Sequence, residues 1–225
     1  MSISSLSPAD YRRFRRHQFW TDHGVFRELF YANFHQIAPG VYRSAQPSPA
    51  QLRRWHAQVP LRTVLNVRSP APHEPHYRLE QDICDQLGIR HLPLQGFGSR
   101  DLPERERLLA ALELFPQLER PLLIHCKSGA DRAGLISALY VWQECGWSLE
   151  QARQQLRLWP YGHIRYANTG ILDWFLAQVA AAGGNAAGFD LRQWVATAYD
   201  REALLASFRP WYRLDWVTDR LLRRE

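Results

Sequence analysis

Polar and apolar positions along the chain follow two periods. Apolar-rich runs bounded by turn-forming residues recur at Ile37 to Pro47, Leu61 to Val67, Ile89 to Leu94 and Pro121 to Ile124, and these read as strands. Between them, apolar residues return at helical spacing. This predicts helices over Ser48 to Gln58, Pro75 to Leu87, Glu104 to Leu118, Ala130 to Glu144, Leu149 to Leu158 and Tyr166 to Ala182. Ser48 and Ser148 suit the N-cap, the first with Pro49 behind it and the second with Glu150 and Gln151 in the following turn. Strand–helix alternation predicts an α/β domain over residues 36–183, with a central, mostly parallel sheet flanked by helices.

Helical extensions flank that domain. Residues 1–35 carry Tyr11, Arg12, Arg13, Phe14, Arg15, Arg16, Phe19 and Trp20, then Phe26, Leu29, Phe30 and Phe34 at helical spacing. This block reads either as a helix packed on the domain with arginines in solvent, or as a surface that touches an anionic membrane or nucleic acid. Ala180 to Gly188 is small and uncharged and reads as a flexible linker. Beyond it Leu191, Trp194, Val195, Ala198, Leu204, Leu205 and Phe208, then Trp211, Trp216, Leu221 and Leu222, predict a helical appendage docked on the domain or on a partner.

Composition narrows the class. The 225 residues suit one domain with appendages, or at most two small ones, and 46% hydrophobic content supports a packed core. The net charge of +6 favours anionic partners, tempered by 22 acidic residues. Among 28 basic residues the single lysine is Lys127. Three cysteines, Cys84, Cys126 and Cys145, show no disulfide pattern, which points to a reducing, cytoplasmic setting. Neither a signal peptide nor a membrane span is read in the sequence. The nine histidines are dispersed, so no metal site and no cofactor is expected, and no nucleic-acid partner either.

The chemistry concentrates at Pro121 to Gly134, where a short apolar strand, a small-residue loop and a helix start follow one another. Cys126 sits at the strand end and Arg132 in the first helical turn, with Lys127, Ser128, Gly129, Ala130 and Asp131 between them. Inward amides and a helix start can cradle a phosphate, and the same field favours a thiolate. A planar guanidinium grips two phosphate oxygens at once. Nucleophile, anion cradle and clamp together describe phosphoryl transfer through a cysteinyl-phosphate.

His125-Cys126-x5-Arg132-x-Gly134 on a strand–loop–helix resembles the signature of cysteine-dependent protein-tyrosine and dual-specificity phosphatases. Tyr42-Arg43-Ser44 before Pro47 resembles the bacterial and fungal members. Arg43 and Arg68 are read as surface charges, with the phosphate pocket as the other place either could face. The resemblance implies a loop supplying a general acid between the third strand and the next helix. Asp101 matches it, and Asp131, inside the phosphate loop, is the competitor, as in some lipid-acting members. It also implies that the loop carrying His163 and Arg165 approaches the substrate. Tensin-like members suggest a protective disulfide between Cys84 and Cys126, against the alternative of a buried core cysteine. Lys127 resembles the lipid phosphatases and favours polyanionic headgroups, so the implied partner is a phosphorylated protein or a phospholipid substrate. Ala133 stands where members carry Ser or Thr, which implies slower breakdown of the phosphoenzyme. A catalytically weak phosphate-binding module and a rhodanese-type sulfur transferase are the two readings from other classes.

Overall fold

The computed structural model describes residues 6–22, 24–68 and 70–210. In chain order its elements begin with α1 (Pro8–Trp20), α2 (Gly24–Leu29), β1 (His35–Ala38), β2 (Val41–Ser44), α3 (Pro49–Gln58), β3 (Thr63–Asn66), α4 (Pro75–Leu87) and β4 (Arg90–Pro93). They continue with α5 (Arg105–Leu114), β5 (Leu122–His125), α6 (Arg132–Glu144), α7 (Leu149–Ala152), α8 (Ile171–Val179), α9 (Leu191–Thr197) and α10 (Arg201–Ser207). The sheet order is β1-β2-β5-β3-β4, antiparallel only at β1–β2. Ser44, His125, Asn66 and Pro93 end their strands in register, so the parallel strands finish at one edge. In open α/β sheets that carboxyl edge is where ligands bind.

Side-chain alternation sorts the central strand between two cores. Leu122 and Ile124 point into the larger one with α5, α6, α8 and α9. Leu123 points the other way, into a core of Tyr42, Leu52, Trp55, Val64 and Ile83 under α3 and α4. Helix α6 is buried along most of its length, as an element apolar nearly all round must be. Phe34 stacks on Trp55 at 4.2 Å and on Tyr42 at 5.4 Å, closing the second core beside the N-terminal segment.

Several elements differ from the sequence expectation. The first apolar run is a hairpin, because Pro39-Gly40 turns the chain between β1 and β2. The Ser148-capped helix keeps one turn, then tightens into a 3-10 turn over Arg153–Gln155. The Ala/Gly stretch Ala180–Gly184 continues α8 helically and then kinks at Gly183, whose φ is +100°. After it Phe189 stacks on Trp142, and Leu191, Val195 and Tyr199 are fully buried in the larger core. Of the N-terminal block, α1 packs on α4, and Leu6 N–H donates to Asp82 Oδ1 at 3.0 Å. Ser69, Trp211, Trp216, Leu221 and Leu222 lie outside the described residues.

Because Leu191 belongs to the main core, Leu191→Ala should destabilise the protein by about 2–5 kcal/mol in urea unfolding, in one transition with the rest. A cost below about 1 kcal/mol, or a separate early transition, would show a detachable tail.

Candidate active site

Strand β5 ends at His125, Cys126 follows at 1% exposure, and the loop to Asp131 leads into α6. Four successive loop carbonyls are held by the body of the protein. Gln46 N–H donates to Lys127 O at 3.1 Å, and Asn33 Nδ2 to Ser128 O at 3.1 Å. Arg43 Nη2 donates to Gly129 O at 2.6 Å and to Ala130 O at 3.0 Å. With these carbonyls turned to the body, the N–H groups of the same peptide units face the other way, and those of Ser128, Gly129 and Asp131 have no acceptor among the described residues. Such a ring of free N–H groups at a helix start is an anion cradle. Gly129 is required twice over. Its φ is +72°, and a Cβ there would stand 2.5 Å from Ser44 O.

The sequence reading of Arg43 as a surface charge is corrected: it is fully buried. Its Nη1 donates to Gln155 O at 2.7 Å and to Gln155 Oε1 at 3.0 Å, and its guanidinium lies 4.1 Å from the Tyr161 ring centre. Burial pulls its pKa down to about 10, against opposing contributions from Tyr161 and Cys126, so it stays charged at neutral pH. Gly134 permits the approach, since a Cβ there would meet Arg43 Nη2 at 3.3 Å and Leu156 at 2.8 Å.

Beneath the strand ends lies a second buried ion, Glu80, which the sequence reading missed. Its carboxylate accepts from Gln46 Nε2 at 3.1 Å and Asn66 Nδ2 at 2.5 Å and lies 2.9 Å from His91 Nε2. His125 Nε2 stands 2.6 Å from Glu80 Oε1, a contact too oblique to be a directional hydrogen bond. Burial pushes the Glu80 carboxyl up, but His125 and His91 outweigh it and hold it well below the usual carboxylate range. Glu80 thereby links β3, β4 and β5 through Asn66, His91 and His125.

Beside the loop, the N-terminal segment contributes ions that no motif announced. Arg68 binds Asp22 through two bonds of 2.7 and 2.9 Å, and Arg27 Nη2 binds the same carboxylate at 2.9 Å. Arg132 Nη1 donates to Arg68 O at 3.1 Å. Burial would raise the Asp22 pKa; Arg68 and then Arg27 overcome it and bring it to about 2. His76, beside them, is lowered to about 3 by burial and then by Arg68, so it is neutral at neutral pH. Arg68 is thus held by Asp22 rather than turned to bulk solvent.

The remaining sequence-predicted residues fall in different places. Asp131 is buried, with Oδ1 2.7 Å from His163 Nδ1, and His163 Nε2 lies 2.6 Å from Asp173 Oδ2. His163 is therefore a buried brace of the phosphate loop, held at both ring nitrogens. Arg165 lies 5.5 Å from the Tyr166 ring centre and lines a cavity of about 380 Å³ with Arg153, Arg157, His163 and Asp173. Asp101 carries 52% of its side-chain surface exposed and binds Arg201 Nη2 through both oxygens, at 2.7 and 2.8 Å. Cys84 is a free thiol in the second core, its pKa pushed well up by burial, and is not paired with Cys126.

No family model matches the chain. The dual specificity protein phosphatase TpbA of Pseudomonas aeruginosa is 26% identical over 184 residues, covering 75% of this chain and 78% of that protein. The human phosphatidylglycerophosphatase and protein-tyrosine phosphatase 1 is 25% identical over 158 residues, covering 66% of this chain and 75% of that protein. Among solved structures, Pseudomonas aeruginosa TpbA matches with a TM-score of 0.53 at 20% identity, over 74% of this chain and 92% of that one. The core catalytic domain of the PP-IP phosphatase SIW14 from S. cerevisiae matches with a TM-score of 0.50 at 20% identity, over 70% and 96%. The structural likenesses establish the fold, and in sequence the chain is similar to cysteine-dependent phosphatases of the protein-tyrosine and dual-specificity superfamily.

Proposed function

We propose that Cys126 is the nucleophile, and that Arg132 with the amides of Ser128, Gly129 and Asp131 holds the transferring phosphoryl group. The observation that carries this is the run of four carbonyls fastened to the body, which leaves their amides to face an anion. The Cys126 sulfur attacks phosphorus in line, an S–P bond forms and the P–O bond to the leaving group breaks. A general acid gives that oxygen its proton. Water then attacks phosphorus, the S–P bond breaks, the acid's conjugate base takes the proton from water and inorganic phosphate leaves. Charge spread over the equatorial oxygens is met by the amides and by Arg132. Ala133, fully buried after Arg132, brings no hydroxyl to the departing sulfur, so the second step is slow.

Asp101 is the better proton donor. Asp131 faces His163, whose pKa is raised because its two carboxylate partners outweigh the lowering by burial. Asp131 is buried and fastened to this brace, so its carboxyl is not free to turn to a leaving group. Asp101 is half exposed, its Oδ1 accepts from Leu102 N–H at 2.8 Å, and its ion pair with Arg201 lies near the surface, where such pairs contribute roughly 0–1 kcal/mol, so it can be released to a substrate. Substrates are phosphate monoesters on protein or lipid. Exposed Trp20, Phe26, Leu29 and Phe30 next to the arginines of α1 support peripheral contact with an anionic membrane. Among the described residues no helix is long and apolar enough to cross one.

Cys126→Ser should abolish turnover of para-nitrophenyl phosphate. Asp101→Asn should slow an alkyl phosphate about 10²–10⁴-fold, and an aryl phosphate far less. The same leaving-group dependence in Asp131→Asn, with Asp101→Asn near wild type, would transfer the acid to the phosphate loop.

His163 makes a stability prediction with a definite sign. Its folded pKa lies above the ordinary 6.5, so the stabilisation it provides is complete below that value and is lost as pH rises through the folded pKa. The melting-temperature gap between wild type and His163→Gln should therefore be widest at about pH 5.5 and narrow on the alkaline side. A gap that widens with pH would contradict a charged brace.

A further inference from the structure

Among the described residues the exposed large hydrophobics fall in two stretches. Trp20, Phe26, Leu29 and Phe30 belong to the N-terminal segment, and Leu158, Trp159 and Tyr166 to the loop that follows the Arg153–Gln155 turn. Trp159 is 86% exposed, the most open of these side chains, and Leu158 beside it is 67% exposed. The two stretches are fastened to each other. Tyr31 donates its hydroxyl to Tyr161 O at 3.1 Å, Asn33 Nδ2 donates to the same oxygen at 3.0 Å, and Phe26 stacks on Tyr31 at 5.7 Å.

Leu158 and Tyr166 also line the cavity of about 380 Å³, whose cations are Arg153, Arg157 and Arg165. Both carboxylates in its wall are already engaged, Glu150 with Arg153 at 3.2 Å and Asp173 with His163 at 2.6 Å. Arg157 and Arg165 are paired with no carboxylate among the described residues. An excess of positive charge in a concave wall draws an anion, and guanidinium groups suit phosphate oxygens. None of residues 126–132 lines the cavity. It lies behind His163, whose Nδ1 faces Asp131 while its Nε2 faces Asp173, so it is separate from the amide cradle.

The apolar rim decides what kind of anion fits. A free phosphate would satisfy the arginines and leave Leu158 and Trp159 in water. A phospholipid answers both parts, its phosphate in the cavity and its glycerol and acyl ends against the apolar pair. An indole is at home at the depth of the headgroups, and arginines beside it add attraction to an anionic bilayer. We propose that this cavity is the headgroup site for an anionic phospholipid that is bound but not hydrolysed, with Leu158 and Trp159 entering the interface beside it. The membrane contact of the N-terminal segment thereby gains a second, specific point, joined to the first through Tyr161. Nothing in this site depends on which residue is the nucleophile or the acid.

The test is co-sedimentation of the full chain with phosphatidylcholine vesicles, plain or carrying about one-third phosphatidylglycerol, with vanadate present to fill the phosphate loop. Wild type should bind the anionic vesicles and not the plain ones. Arg157→Gln should weaken that binding about fivefold, as loss of one arginine at an anionic surface does. Trp159→Ala should weaken it by about the same factor, through the apolar area no longer buried, and both variants should keep wild-type circular dichroism. Arg157→Lys keeps the charge and should retain most of the affinity, and it serves if Arg157→Gln folds poorly. Equal binding by wild type, Arg157→Gln and Trp159→Ala overturns the site. Displacement by inorganic phosphate at the lipid's own concentration overturns it too, by giving the cavity to a free anion. Binding that appears only without vanadate places the lipid in the phosphate loop instead. A lipid-free dimer, seen by sedimentation equilibrium and broken in Trp159→Ala, would give the face to a second copy and likewise overturn the lipid.

Discussion

A single buried guanidinium decides what the phosphate loop can do. Arg43 leaves β2 beneath the loop and draws two carbonyls, Gly129 O and Ala130 O, onto one nitrogen. A peptide unit has its C=O and N–H on opposite sides, so a carbonyl pulled toward the body turns the amide of the same unit outward. Gln46 and Asn33 do the same for the two units before. The cost of burying a charge here is offset by four hydrogen bonds to oxygen and the face of Tyr161. The loop is therefore shaped before any anion arrives, which is the preorganisation that electrostatic stabilisation of a transition state requires.

Around that centre, the carboxyl edge of the sheet is organised by ion clusters of different character. Glu80 is fully enclosed and joins three strands, a structural role suited to a residue with no solvent access. Asp131–His163–Asp173 braces the loop from the helical side. Asp22 gathers Arg27 and Arg68 at the side that a substrate would meet. The two termini also meet the site differently. The N-terminal segment brings charge beside the loop. The C-terminal helices hold the Asp101 stretch, through Arg201 on Leu102 O and Tyr199 on Pro103 O.

Much of the architecture was legible because it is written in local patterns. Ser48-Pro49 with Gln51 is a complete capping box, and α3 and α4 keep the bounds that the sequence suggests. The Cys126-to-Arg132 spacing marked the loop for the same reason, since nucleophile, amides and clamp lie within one turn of chain. What stayed hidden depends on distant partners. Arg43 and Arg68 look like any surface arginine until Gln155 and Asp22 are brought to them. Glu80 sits on a helix with ordinary polar spacing, and only the strand register places His91 and His125 against it. The Ala/Gly stretch reads as flexible from composition, but Phe189 and Leu191 just beyond it fasten the chain to the core.

The most direct measurement is vanadate affinity in Arg43→Met, a side chain that keeps bulk and loses every donor. If the fastened carbonyls shape the cradle, the variant should retain wild-type circular dichroism while vanadate binding and kcat both fall, by about 10²–10³-fold in kcat. A folded variant that binds vanadate and turns over like the wild type would show that the loop holds its shape without Arg43, and the account would be wrong at its centre.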